Sequence, residues 1–303
     1  MANTLTTVSD YSTLFCINTR TKRTIYTYTT NRRQYSAKIQ VIKKNLQGPT
    51  LMSKDIQPLL SDWPYEPGQL CVRKITGHDG REKIQLRIEM GILQMEMSGR
   101  PDGQRPFNHE SLFHHYHAQA TETETSPEPF TLDTEACMSL QIEAMQYYHR
   151  RISFLEIGEY DKARQDAKRN LALFDFVKEH AEEEEDRLAL ENFRPYVIGH
   201  RVRAEVLMHL ETDAYDHALE KIDVGIQEIQ SFFQDFDRID LINENEEVTF
   251  LKEWAEEIRN ERPKTESQNL KEKLRDAVAH EDFERAAHLR DQLGNLDKQT
   301  DDA

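Results

Sequence analysis

Residues 270–296 read LKEKLRDAVAHEDFERAAHLRDQLGNL, and their pattern fixes the character of the C-terminal part of the chain. Leu270, Leu274 and the Ala277/Val278 pair recur at helical spacing and form one apolar stripe. After the polar break His280-Glu281-Asp282, a second stripe follows in Phe283, Ala286, Ala287, Leu289 and Leu293. The pattern predicts two short helices folded back on each other. Thr265 followed by Gln268 fits a capping box ahead of the first helix. Asp282 is placed to accept from the free amides that open the second. Paired alanines let two helix backbones approach closely, with Phe283 as the bulky anchor. Two isolated helices of this length are marginal in water, and chains below roughly 40 residues usually need a further prop. The stripes therefore need a cover: a second copy, another such hairpin, or the body of this chain. Leu274, Val278, Phe283, Ala286, Ala287, Leu289 and Arg290 are the expected contact residues.

Upstream of this hairpin region (263–303), helical patterning runs over 132–262. Glu246 to Arg262 reads as one helix with Phe250, Leu251, Trp254, Ala255 and Ile258 on its apolar face, suited to capping a bundle. Gly158-Glu159-Tyr160-Asp161-Lys162-Ala163 recurs approximately as Asp213-Ala214-Tyr215-Asp216-His217-Ala218. Both copies sit between amphipathic stretches, and this resembles the helix–turn–helix junction of tetratricopeptide (TPR) repeats, in which the tyrosine packs at the turn and the alanine admits a neighbouring helix. Tyr147, Phe154 and Leu171 occupy apolar positions of the first unit. Arg150 and Arg151 stand where that pattern has Leu-Gly, and the two tyrosines, Tyr160 and Tyr215, lie further apart than the ~34 residues of a regular array. The acidic run Glu182-Glu183-Glu184-Glu185-Asp186 lengthens the connection and reads as a solvated helix face. The expectation is a divergent TPR-like helical bundle.

Residues 119–131, QATETETSPEPFT, form a polar linker. Before it, residues 52–118 read as a small α+β domain. Leu70 to Ile75 suggests a strand, Gly77-His78-Asp79-Gly80 a turn with an Asp-Gly hairpin signal. One longer strand is expected from Lys83 to about Glu96, with Ile84, Leu86, Ile88 and Met90 on one side and Gln85, Arg87 and Glu89 on the other, and a bulge at Gly91. The loop from Ser98 to Pro106 carries the one candidate small-ligand site: Arg100 and Arg105 could fork onto an anion with Asp102 orienting either. The alternative is a tight Pro-Asp-Gly turn in which an arginine pairs with Asp102. His109, Glu110, His114, His115 and His117 cluster on a helical pattern. Their spacing is not that of a recognised zinc motif, so no metal is expected, and Leu112, Phe113 and Tyr116 make an amphipathic helix the better reading.

Residues 1–51 differ from everything that follows. Eight basic residues stand against a single acid, Asp10, a net charge of +7; with −16 on the whole chain, residues 52–303 carry −23. Three readings stand: a basic nucleic-acid-binding arm, a strand-rich appendage, or a non-native upstream extension with translation starting at Met52. No apolar core of a secretory signal follows the basic residues.

Charged residues make up 31% of the 303-residue chain, mean hydropathy is −0.78, and no apolar run approaches a membrane span. Cys16, Cys71 and Cys137 are too widely spaced for a metal knuckle or disulfide framework and fit a reducing cytoplasm. The acidic balance disfavours direct nucleic-acid binding. No nucleophile elbow, Walker loop or GxGxxG is present, so neither a catalytic residue nor a cofactor is expected.

Glu281-Asp282-Phe283-Glu284-Arg285-Ala286-Ala287-His288-Leu289-Arg290-Asp291 resembles the UVR motif, the interaction hairpin at the C-terminus of UvrB and within UvrC. The order of a small N-terminal domain with WPYEPG and GRPDG loops, a TPR-like region and this hairpin is similar to that of a group of bacterial UVR-motif proteins. The resemblance implies an intracellular protein that docks onto a protein partner, another UVR-motif protein or a second copy of itself, and supplies no activity. It leads to a non-enzymatic adaptor. The alternatives are a ligand- or nucleotide-responsive regulator or enzyme using Arg100, Asp102 and Arg105, and an accessory factor in DNA excision repair, which rests on analogy alone.

Overall fold

The computed structural model describes residues 55–123, 129–263 and 266–301; the readings of residues 1–51, of a start at Met52 and of the Thr265/Gln268 capping box fall outside the described side chains. The architecture is mainly helical with one small antiparallel sheet. The chain divides into two compact units, one holding the described residues through Glu159 together with Leu173–Asn192, the other Tyr160–Ala172 and everything from Phe193 onward.

In the first unit a short helix α1 (Gln57–Ser61) precedes strands β1 (Cys71–Thr76), β2 (Glu82–Ile88) and β3 (Gly91–Glu96), a three-stranded meander. The Asp-Gly turn joins β1 to β2 in the register Thr76↔Glu82, with Gly80 at φ 75°. Lys83 lies between Asp79 and Glu96, and hydrogen bonds to Glu96 and then Asp79 hold its ammonium above the usual lysine range.

The single long strand expected over Lys83–Glu96 is two strands. Ile88 pairs with Gly91, so Glu89 and Met90 form a two-residue turn in place of a bulge. Neither turn residue has a positive φ, so the Asn-Gly or Gly-X signature of a two-residue hairpin is missing from the sequence. Arg87 supplies the hold instead: Nε donates to the Trp63 carbonyl at 2.8 Å and Nη1 to the carbonyls of Ile88, Glu89 and Gly91. Alternation placed Arg87 on a solvent face, yet it is buried. Ile84 and Leu86 are buried as expected, whereas Met90 at the turn is 85% exposed.

Helix α2 (Leu112–Thr123) runs through the first part of the stretch read as a linker, since no breaker occurs before Ser126-Pro127. Helix α3 (Thr134–Glu156) starts at Asp133, whose side chain accepts from the Ala136 N–H, and buries Cys137, Leu140, Ala144, Tyr147 and Phe154. Helix α4 (Tyr160–His180) follows, and its C-terminal part brings Phe176 edge-on to Phe113 of α2 with centroids 5.5 Å apart. Leu132 exchanges hydrogen bonds with His180 and Glu182, a parallel bridge that ties the start of α3 to the end of α4. The acidic run leads into the exposed helix α5 (Glu184–Ala189), which takes its last three acids.

In the second unit α6 (Arg194–Leu210), α7 (Tyr215–Asp235) and α8 (Glu246–Glu261) pack together. Gly225 of α7 lets that helix lie directly on Val202 of α6, where a Cβ would overlap the valine methyl. Leu251, Ala255 and Ile258 of α8 are buried, while Phe250 stays at the rim beneath the Arg203 guanidinium at 4.3 Å. Asn245 caps α8 by accepting from Val248. Helices α9 (Glu266–Ala279) and α10 (Phe283–Asp301) form the C-terminal hairpin.

One corner recurs with a shared sequence pattern at three places, and its backbone alone a fourth time, at Asp237 (φ 53°), where the Arg238 N–H donates to the Phe233 carbonyl at 2.8 Å. Gly158, Asp213 and Glu281 each take a left-handed φ (77°, 55° and 59°) between two helices. The next residue's N–H then donates back to a carbonyl five residues earlier: Glu159 to Phe154, Ala214 to His209 and Asp282 to Ala277, each at 2.9 Å. An aromatic residue, an acid, a base and a buried alanine follow in every copy, ending at Ala163, Ala218 and Ala286. Two copies are visible as a sequence repeat; the third, inside the hairpin, emerges from the backbone.

Candidate functional site

Among the described side chains the hairpin has a very small core. Ala277 of α9 and Ala286 and Leu289 of α10 are buried, with Leu270 and Leu274 packed against them. Of the paired alanines only Ala286 lies at the close approach, opposite Ala277, while Ala287 and the expected anchor Phe283 turn outward; Asp282 caps α10 by accepting from the Arg285 N–H at 3.1 Å.

Ala286 and Leu289 therefore close the hairpin itself, and Leu274 is half-buried beside them. Val278 and Phe283 are 52% and 68% exposed, and Ala287 and Arg290 also face out. Arg290 is engaged with the adjacent Asp291 at 2.9 Å. The seven expected contact residues thus separate into an inner set that holds the two helices together and an outer set available to a partner. A phenylalanine left two-thirds open at the tip of a hairpin is the largest apolar feature of this region, and it has no role in the hairpin's own core.

The second candidate group lies in the first unit. Arg100 reaches two carboxylates: Nε is 3.0 Å from Glu143 and Nη1 3.1 Å from Asp102. Glu143, on α3, is completely buried, and it also accepts from the Leu112 and Phe113 N–H groups at 2.8 and 3.1 Å, capping the start of α2. Asp102 accepts from the Gln104 N–H and from Gln146. Arg150, buried in α3, donates to the carbonyls of Glu96 and Gly99 at 3.1 and 2.8 Å. The GRPDG loop is consequently fastened to α3 by Arg100, Asp102 and Arg150. Arg105 is exposed and stands apart from this knot. Sequence reasoning missed Glu143 and Arg150, because a carboxylate or guanidinium in a helix reads as surface until its partner from a distant loop is known. Arg150 departs from the TPR pattern, and its hold on the loop explains why a charged residue sits there.

The histidines of α2 mix with aromatic rings. His115 stacks on Phe107 with centroids 4.1 Å apart, and Ser111 Oγ pairs with His114 Nδ1 at 2.8 Å. Burial, and secondarily His109, hold the His115 imidazole below its usual range. Among the described residues no three His, Cys, Asp or Glu side chains converge as a metal site. Among them, too, no helix is long and apolar enough to cross a membrane.

Residues 266–299 match the family model described as the UvrB/uvrC motif. That span coincides with α9 and α10. No curated protein and no solved structure matches the chain.

Proposed function

We propose that this protein is a non-enzymatic adaptor that docks a protein partner through the exposed edge of its C-terminal hairpin, with the α6–α8 bundle as the scaffold that carries it. The UVR motif is an element that mediates protein interactions, and the observation that carries the reading is the exposure of Phe283 and Val278 on a hairpin whose own core is already closed by Ala277, Ala286 and Leu289. Large aromatic side chains at the centre of a contact commonly dominate its energy. The partner would be another UVR-motif protein or a second copy. Capture of UvrB or UvrC would make it an accessory factor in excision repair.

The test is the double variant Phe283→Ala with Val278→Ala in the full chain, assayed by light scattering for self-association and by affinity capture against purified UVR-motif proteins. Association is expected to weaken while circular dichroism stays unchanged. Unaltered mass and unaltered capture would sink the proposal. Leu289→Ala is the wrong probe of docking, since it opens the hairpin.

A further inference from the structure

The strap that runs from the Arg100 knot into α2 bends through two residues in succession with left-handed backbone, Phe107 at φ 51° and Asn108 at φ 65°. A Cβ crowds the following carbonyl in that region, so such a pair keeps its shape only where something outside the backbone fixes it. Asparagine tolerates the conformation, whereas phenylalanine is far less suited to it. The turn's own hydrogen bonds run along the strap: the Asn108 N–H donates to the Arg105 carbonyl at 3.2 Å and the His109 N–H to the Pro106 carbonyl at 2.9 Å. They do not fasten it to α2. What Phe107 meets on α2 is the imidazole of His115, nearly parallel at 17° with centroids 4.1 Å apart. The rest of Phe107 is open, 65% exposed.

That clasp depends on a ring that can change charge. His115 is half-buried, and its Nδ1 is covered and meets no hydrogen-bond partner among the described residues. With the proton on Nε2, a neutral imidazole leaves Nδ1 an idle acceptor; an imidazolium puts an N–H there with nothing to accept it. The surroundings offer no compensation. On the strap, the His109 ring lies 5.1 Å away and repels a second positive charge, and Arg105 is basic too. On α2, Tyr116 is neutral and His114 is engaged with Ser111 Oγ, with Glu110 on its far nitrogen at 3.9 Å. On α3, Glu143 is committed to Arg100 and to the amides that open α2.

We propose that Phe107 and His115 form a proton-operated latch: the neutral imidazole holds the strap in its left-handed form, and uptake of a proton releases it. Burial, and secondarily His109, keep the latched His115 below the ordinary histidine range, so the released form takes the proton more readily. The latch is therefore shut above that range and opens as pH falls through it, the ratio of the two forms moving by up to about tenfold per pH unit for one proton. This device lies in the first unit and is independent of the hairpin.

The test follows the isotopically labelled full-length protein by NMR between about pH 8 and pH 5, the span in which histidines titrate. The His115 imidazole is expected to titrate below the ordinary histidine range. The Cα resonances of Phe107 and Asn108 should leave their left-handed positions with the same midpoint. In His115→Phe, which keeps a ring for the stack but carries no proton, those two resonances should stay fixed. In Phe107→Ala, a change at an exposed position, the His115 midpoint should rise towards the ordinary range. Cα resonances that ignore the His115 titration, or that move unchanged in His115→Phe, overturn the latch. So does a His115 midpoint above the ordinary range, which would mean that the phenyl face attracts the imidazolium and tightens the strap in acid.

Discussion

Glu143 shows how much one buried side chain can organise. It neutralises Arg100, caps α2 and so joins a loop, a helix start and α3 at one carboxylate. Glu143→Gln should lower the stability of the first unit by about 2–3 kcal/mol in urea unfolding, because a buried guanidinium loses one of its two carboxylate partners and a cap weakens. Asp102 still faces Arg100, which keeps the loss at that end of the range. His149 carries the clearest pH signature. Burial holds its imidazole below the ordinary histidine range, against a hydrogen bond to the Met145 backbone that pulls it up. The unfolded chain therefore binds the proton more readily, so stability is full above the ordinary histidine range and falls as pH drops through it. Melting temperatures between about pH 8 and pH 5 should show that loss, and His149→Asn should reduce it in part, since His115 is shifted the same way. Cys137 is the third case. Burial, then Asp186, Asp133 and Glu182, push its thiol up to about 11. Iodoacetamide at neutral pH should leave it unmodified in the folded chain and reach half-buried Cys71 first, as peptide mapping would show.

At the scale of elements, the corners make opposite predictions for two residues in the same conformation. Gly158→Ala should destabilise by about 1 kcal/mol, because a Cβ is disfavoured in the left-handed region by more than the gain in chain stiffness. Glu281→Gly should be neutral or stabilising for the hairpin by less than about 1 kcal/mol, readable as a change in helicity on heating. Gly225→Ala tests close packing: the alanine's helix preference of about 1 kcal/mol is outweighed by overlap with the stiff Val202 side chain, so unfolding at lower denaturant is expected. These elements also show what the sequence could and could not convey. Helical periodicity placed α8 and the hairpin within a few residues, because each carries apolar residues at helical spacing. The β2–β3 turn was illegible, since its stability comes from Arg87 and Trp63 and not from turn residues. The same holds for the site: the sequence reads Phe283 as the anchor of the helix pairing, yet it is 68% exposed, because the division of the stripe into inner and outer sets depends on the rotation of α10 against α9, which apolar letters do not specify.

For the molecule as a whole, removal of residues 263–303 should leave the sheet and the α6–α8 bundle folded while abolishing partner capture; a truncated chain that retains its partner would show that docking lies elsewhere. That the described part of the hairpin buries Ala277, Ala286 and Leu289 alone has a further consequence, in time instead of space. Its contacts lie close together along the chain, so it should re-form within microseconds after opening, yet so small a core gives the open state an appreciable population. Its amides should therefore exchange with deuterium well before those of α6 and α7. A partner that seats on Phe283 must draw from the closed form alone, and its arrival would be registered first as a slowing of that exchange.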